Sequence, residues 1–313
     1  VTSKVNRNLE RLFLEQTVKA VNDISEPWKT SDTGRPPHEP EVVAVMCVLK
    51  IKGQRTYEST EAYGRDNNYL KRLLGVDRLP TQSVIHRGMQ RMPPGCIKKL
   101  NQRLTVRFRR KGIEGITDAS GFRLRTSSSW YDIRIQRKSR RKDHLKLHII
   151  GDFQTGIIHS FSVTGGREGD SPQFRKMILV IGKVLKMAGD SAYMARKNCT
   201  LVRDRGGTPY FRLKVNVTAK PKSHPEWKAM VKLYHKDPKA WLKEYHIRSY
   251  VEAIFASIKH RFGNFLRSIK PANQEKELSL KVICYNVVRV LYLKCAKELG
   301  VPLWVKVKQT KPG

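Results

Sequence analysis

At about residue 112 the apolar residues change period, from helical spacing to short alternating runs, and this switch points the chain to an all-helical region followed by a mixed α/β sheet. Upstream, Leu9, Leu12, Phe13, Gln16 and Val18 outline an amphipathic opening helix, and residues 31–40 (SDTGRPPHEP) break it. Helices are expected over residues 41–51 and 59–64, and another holds Tyr69, Leu70, Leu73 and Leu74 before Gly75. Thr81 or Ser83 then caps a helix that stops before Pro93-Pro94. The last two helices, with a glycine between them, have the outline of a helix-turn-helix, although an ordinary helix pair is the commoner case.

Downstream, residues 113–119, 145–150 and 157–163 read as strands. Asp170-Ser171-Pro172 supplies a capping residue and a first-turn proline for a helix with the core face Phe174, Met177, Ile178, Ile181, Val184 and Leu185. A strand over 184–190 ending in an acid, a helix from Tyr193 and a strand over 209–215 follow. Residues 219–243 break the rhythm with Lys, His, Trp and proline and read as an insertion. Two helices, over about 248–262 and 278–299, finish the pattern. The expected organisation is a helical region at 1–110, a mixed sheet flanked by helices at 111–300, and a basic tail at 301–313.

Charge narrows the partner. With 62 Lys plus Arg against 27 Asp plus Glu, the formal charge is +35, which favours a polyanion through counterion release. Nucleic acid is the expected partner, because the longest apolar run, residues 42–49, stops at Lys50, far short of the roughly 20 residues a membrane span needs. The opening Val1-Thr2-Ser3-Lys4 carries no apolar leader, and the five scattered cysteines form no C-x-x-C pair. They read as reduced thiols, neither zinc ligands nor a disulfide framework, so a cytoplasmic protein is expected.

Acids are scarce, so those closing strands stand out. Asp118 and Asp190 both do so, although each alone reads more readily as a cap or turn carboxylate. Asp152 and Asp170 suit a hairpin turn and a cap better. At about 100° per residue, Tyr245, Arg248, Glu252 and Lys259 share one narrow arc of a helix, beside an apolar face of Val251, Phe255, Ile258 and Phe262. A solvated face of mixed charge has the same appearance. Three carboxylates from separate segments, with Arg and Lys beside one of them, suit hard cations such as Mg²⁺ or Mn²⁺. Two such ions can activate a water or 3′-hydroxyl on one side of a phosphodiester and stabilise the leaving oxygen on the other. Arg248 and Lys259 would then hold phosphates.

The run Tyr245-x2-Arg248-x3-Glu252-x6-Lys259 resembles the Y-(2)-R-(3)-E-(6)-K signature of DDE transposases of bacterial and archaeal insertion sequences. Thr117-Asp118-Ala119-Ser120-Gly121 is similar to that family's first-Asp segment, and Gly189-Asp190-Ser191-Ala192-Tyr193 to its second. The stretch from Gly34-Arg35-Pro36-Pro37 to Leu79-Pro80-Thr81 resembles the helical region ahead of the catalytic core. The resemblance implies a ribonuclease-H-like core in which Asp118, Asp190 and Glu252 are catalytic and hold two divalent ions. It implies hydrolysis at the ends of a mobile element, its terminal inverted repeats, followed by attack of the freed 3′-hydroxyl on target DNA. Tyr245, Arg248 and Lys259 inherit contacts with the DNA end, and a homodimer or larger assembly is implied because two ends must meet. The site of action would be the nucleoid.

Other features are less specific. Arg137, Lys138, Arg140, Arg141 and Lys142 fall within a six-residue stretch between two strands and are expected to meet DNA phosphates. Trp227 or Trp241 would stack on an unpaired base or, as the commoner case, pack the insertion onto the core. His144 and His148 would approach the metals or DNA, or serve as hydrogen-bonded structural groups. Two rival functions share the same residues: a metal-dependent nuclease or resolvase without strand transfer, and a non-catalytic DNA-binding protein derived from a transposase.

Overall fold

The computed structural model describes residues 2–24, 27–29, 38–108, 112–124, 144–214, 217 and 224–302. The Pro/Gly break at 31–37, the basic run at 137–142 and the tail from 303 lie outside the described residues.

Among the described residues, seven α-helices precede the sheet: α1 (Thr2–Arg7), α2 (Leu9–Asn22), α3 (Pro40–Lys52), α4 (Tyr57–Arg65), α5 (Asn68–Leu74), α6 (Gln82–Arg91) and α7 (Pro94–Thr105). The switch in period falls where the sequence places it, with β1 spanning Ile113–Leu124. Then come β2 (His144–Asp152), β3 (Ile158–Gly165), α8 (Asp170–Ile178), β4 (Val184–Gly189), α9 (Arg196–Asp204) and β5 (Thr208–Phe211). The remainder is α10 (Pro225–Lys236), α11 (Pro238–Tyr245), α12 (Tyr250–Phe262), β6 (Phe265–Leu266) and α13 (Pro271–Glu298).

The strand order is β3-β2-β1-β4-β5, with β6 pairing the end of β1. Strands β1, β2 and β3 form an antiparallel meander, whereas β4 and β5 run parallel to β1. A mixed sheet of this order with helices on both faces is the ribonuclease-H-like α/β fold.

Alternation along the strands divides the core in two. Ile116, Phe122, Leu147 and Ile149 face α12, α13 and the N-terminal helices, and their cluster runs without interruption into Phe13, Leu49, Ile85 and Leu100. Ile113, Ile150 and Met187 face the opposite way, onto α8, α9 and α10. Helices α3 and α13 are buried on nearly every side, which explains why neither shows a strong amphipathic stripe. At 28 residues α13 is about 42 Å long, and it runs between the sheet and the N-terminal helices. Asn286 on α13 and Asn101 on α7 pair with the backbone of Ile158 and His159, which covers the edge strand β3. Among the described residues no helix is long and apolar enough to cross a membrane.

Several local expectations change in the folded chain. Thr81 stands at the cap position of α6, but no backbone N–H bonds to its side chain, and the Gln82 N–H is taken by Glu61 of α4 at 2.6 Å. The Thr81 hydroxyl instead lies 3.2 Å from Ser83 Oγ, so it is turned to a side chain and not to the free N–H groups of the first turn. Asp170 lies inside α8, and its carboxylate pairs with Lys146 at 2.6 Å. Helix α8 ends at Ile178, so Ile181 packs from the following turn, Val184 belongs to β4, and Leu185 is exposed. The described part of the expected insertion is helical, as α10 and α11, and Trp227 and Trp241 are buried there.

Candidate active site

β1 and β4 run side by side, with Thr117 opposite Gly189, so Asp118 and Asp190 emerge as neighbours where β4 stops. This close approach needs a glycine: a Cβ on residue 189 would lie 2.8 Å from Thr117 Cγ2 and 3.1 Å from the Phe211 ring. The loop behind Asp190 is held in place. Ala192 N–H donates to Asp190 Oδ1 at 2.9 Å, Asn198 donates to the Tyr193 carbonyl at 2.8 Å, and the buried Tyr193 ring meets Phe174 edge-on.

Asp118 shares its sheet face with Ser120 and Phe122, the face covered by α12. Burial pushes its carboxyl above the usual range, and Asp190 adds to that, while the Ala119 N–H and Arg248 oppose it. Arg248 lies in a 3-10 turn, His246–Ser249, just ahead of α12. Its Nη2 donates to Asp118 Oδ2 at 2.6 Å, and its Nη1 lies 3.5 Å from Glu252 Oε1. Arg248 Nε is buried without a hydrogen-bond partner among the described residues. Glu252 stands on the first turn of α12, with 69% of its side chain exposed.

The four residues of the signature therefore do not lie on one helix. Tyr245 ends α11, Arg248 sits in the 3-10 turn, and Glu252 and Lys259 belong to α12. The structure brings Arg248 to Asp118, sets Tyr245 beside Arg248, leaves Glu252 linked to the acid pair only through Arg248, and seats Lys259 further along β1. Tyr245 stacks on Trp241, with centroids 5.1 Å apart and planes 15° apart. Burial raises its phenol, which feels Arg248 and Arg212 as well as Asp190 and Asp118. Lys259 Nζ donates to Ser120 Oγ at 2.8 Å and lies 5.3 Å from the centre of the Phe122 ring.

Arg212 belongs to this neighbourhood and escaped the sequence reading. Its N–H donates to the Gly189 carbonyl at 3.1 Å, so it immediately follows β5 beside the Asp190 loop. The strand expected over 209–215 placed Arg212 inside it, and only the earlier end of β5 at Phe211 puts Arg212 beside the acids. The two histidines go elsewhere. His148 is fully buried on the opposite face of the sheet, bonded to Thr164 at 2.8 Å and 3.5 Å from Asp170. His144 packs over Gly121 and Gly166. Asp152 accepts from Glu114 N–H and from Thr155, and so closes the β2–β3 hairpin. Arg137, Lys138, Arg140, Arg141 and Lys142 lie outside the described residues.

A divalent metal suits this donor set by type. Asp118, Asp190 and Glu252 offer only hard carboxylate oxygens, and the Arg248 guanidinium already spans two of them as a cation would. Among the described residues, no three acidic, histidine or cysteine side chains close on a single point. Glu252 meets the acid pair only through Arg248.

Comparison with curated proteins and with solved structures gives no match. The family model described as the transposase DDE domain matches residues 109–287, from just before β1 into α13. That span contains the entire sheet and every residue around Asp118, so the chain belongs to the transposase DDE domain family.

Proposed function

We propose that the chain cuts DNA at the ends of an insertion element and joins the freed 3′-hydroxyl ends to target DNA. The observation that carries this reading is the convergence of Asp118 and Asp190 at adjacent strands, with Glu252 tied to Asp118 through Arg248. Asp118, Asp190 and Glu252 would hold two Mg²⁺ or Mn²⁺ ions. When bound, such ions supply a nucleophilic oxygen at neutral pH and charge stabilisation for the leaving oxygen.

The chain's own residues do the rest. Asp118 and Asp190 present two negative charges in a partly buried place, which draws cations into a molecule that otherwise repels them. Arg248 neutralises Asp118 in the resting protein and, by turning its fork toward a phosphate, frees both carboxylates. Tyr245, held by its stack on Trp241, and Lys259, seated on Ser120, hold the strand on either side. The N-terminal helices bind DNA in this reading, because nine cations and no acid lie between Pro80 and Gly112. Two copies acting together would bring two element ends to one target.

Incubating labelled element ends and a target plasmid with Mg²⁺ tests the reaction. Joined products are expected. Nicked ends without any joined product would instead favour a nuclease that lacks strand transfer.

A further inference from the structure

On the α12 side of the sheet, away from the acid pair, a recess opens between the end of α3 and the turn that carries β6. Its volume is about 10 Å³, room for roughly one water-sized atom. Lys50, Arg55, Arg267 and Lys281 line it, and Glu277 is its one acid among the described lining residues. That acid is already engaged: its two oxygens accept from Arg267 N–H at 2.9 and 3.1 Å and from Ser268 N–H at 2.8 Å.

Four cations against one committed carboxylate is an electrostatic deficit. Lys281 donates to the Gly263 and Phe265 carbonyls, both at 2.8 Å, and Arg55 to the Leu49 carbonyl at 3.3 Å. Lys50, only 5% exposed, lies 4.5 Å from the centre of the Tyr57 ring. These dipoles and rings ease the burial of the cations without cancelling their charge. Burial, followed by the like charges Arg267 and Lys50, pulls Lys281 down to about 8 despite the opposing Glu277.

The recess is also in line with the acid site. Strand β6 pairs with β1 at Arg123 and Leu124, so its partner Leu124 is six residues, about 20 Å, beyond Asp118. Lys259 and Lys281 both sit against the ring of Phe122, at 5.3 and 5.8 Å, which joins the signature lysine to the recess.

We propose that the recess takes one phosphate oxygen of a DNA strand that leaves the acid site along β1, past Lys259. The oxygen would sit among Lys50, Arg55, Arg267 and Lys281, as a backbone contact that fixes the strand's register without reading its bases. This rests on the reading of the chain as acting on DNA, and it adds a contact outside the signature residues.

The test is the salt dependence of binding, measured by fluorescence anisotropy with a labelled duplex and a labelled single strand of arbitrary sequence. Wild type, the double variant Arg55→Gln/Arg267→Gln and the charge-preserving Arg55→Lys/Arg267→Lys are compared over a KCl series. The Gln pair should lower the slope of log K against log [salt] by about 1, and the Lys pair should restore it. Melting without DNA checks the fold. If the Gln pair melts early, Arg267→Met, which removes the charge and keeps an unbranched apolar stem, gives the same readout. A second arm melts wild type in inorganic phosphate and in chloride at equal ionic strength. An unchanged slope in the Gln pair overturns the proposal, and phosphate stabilisation with an unchanged slope assigns the recess to free oxyanions instead. Absence of salt-dependent DNA binding by wild type would overturn the DNA reading itself, a different outcome from an unchanged slope.

Discussion

Arg248 Nη2 donates to Asp118 Oδ2 at 2.6 Å across 130 residues of chain, and this one contact ties the turn ahead of α12 to the centre of the sheet. The same guanidinium reaches Glu252, so two acids that repel each other share a cation. Losing that cation should matter in two ways. Arg248→Ala should lower the melting temperature in metal-free buffer, because a partly buried carboxylate pair is left uncompensated, and Mg²⁺ should recover part of the loss. It should also weaken cleavage of element ends. Equal melting of variant and wild type in chelator would refute the first expectation, and wild-type cleavage would refute the second.

Asp118→Ala, Asp190→Ala and Glu252→Ala should each reduce DNA cleavage by on the order of 10²-fold or more, while DNA binding is retained or increases. Gel assays of cleavage and anisotropy of binding separate the two. Cleavage unchanged in all three variants would remove the carboxylates from the chemistry.

Gly189→Ala should destabilise the chain by about 1–3 kcal/mol, since the new methyl meets Thr117 at 2.8 Å and the Phe211 ring at 3.1 Å. Urea unfolding would show it as a lower midpoint. Because Gly189 precedes Asp190, cleavage should fall further than stability alone accounts for, whereas Gly206→Ala, in the turn between α9 and β5, should cost stability only.

Trp241 is 2% exposed and stacks on Tyr245, so Trp241→Ala should cost about 3–5 kcal/mol and release the phenol from its place. Trp241→Phe keeps a ring in the stack and should retain most cleavage. Full cleavage by the Ala variant at a temperature where it is folded would show that the stack does not position Tyr245.

Lys281 is buried and held at about 8, below the ordinary lysine value of 10.5. Between those values the unfolded chain carries the proton and the folded chain does not. The contribution of this group to stability therefore falls as pH drops from 10.5 toward 8 and rises again as pH increases. Lys281→Met lacks that dependence and also loses two hydrogen bonds to carbonyls. In phosphate-free buffer the gap in melting temperature between wild type and Lys281→Met should widen from pH 8 to pH 10. A constant gap would place the ammonium at its ordinary value.

Much of the fold was legible because local pattern reports local structure. The shift from helical to alternating spacing located the start of β1 and the bounds of β2, β3 and β4 to within two residues, but β1 runs five residues past its expected end at 119, so Asp118 lies inside it. Where a tertiary partner intervened, the pattern misled. Asp170 turned to Lys146, and the stripe from Tyr245 to Lys259 divided into a helix end, a 3-10 turn and a helix. The paired aromatics Trp241 and Tyr245, and Arg212 beside Gly189, had no local signal strong enough to single out their contacts.

What the sequence alone determined is the supply of groups: few acids in a chain of charge +35, with Arg248 and Lys259 at set distances from Glu252. The expectation that Asp118 closes its strand does not hold, because β1 continues to Leu124 by pairing with β2 and β6, and Asp118 sits within it. Only the tertiary structure decided which of them meet. Parallel pairing of β1 with β4 sets Asp118 beside Asp190, and packing of α12 on the same sheet face brings Arg248 to Asp118 and Lys259 to Ser120. The reason is that strand register and helix docking are settled by burial of apolar faces far apart in sequence, here Ile116 and Phe122 against Ile254 and Ile258, and the charged groups are carried into place by that packing.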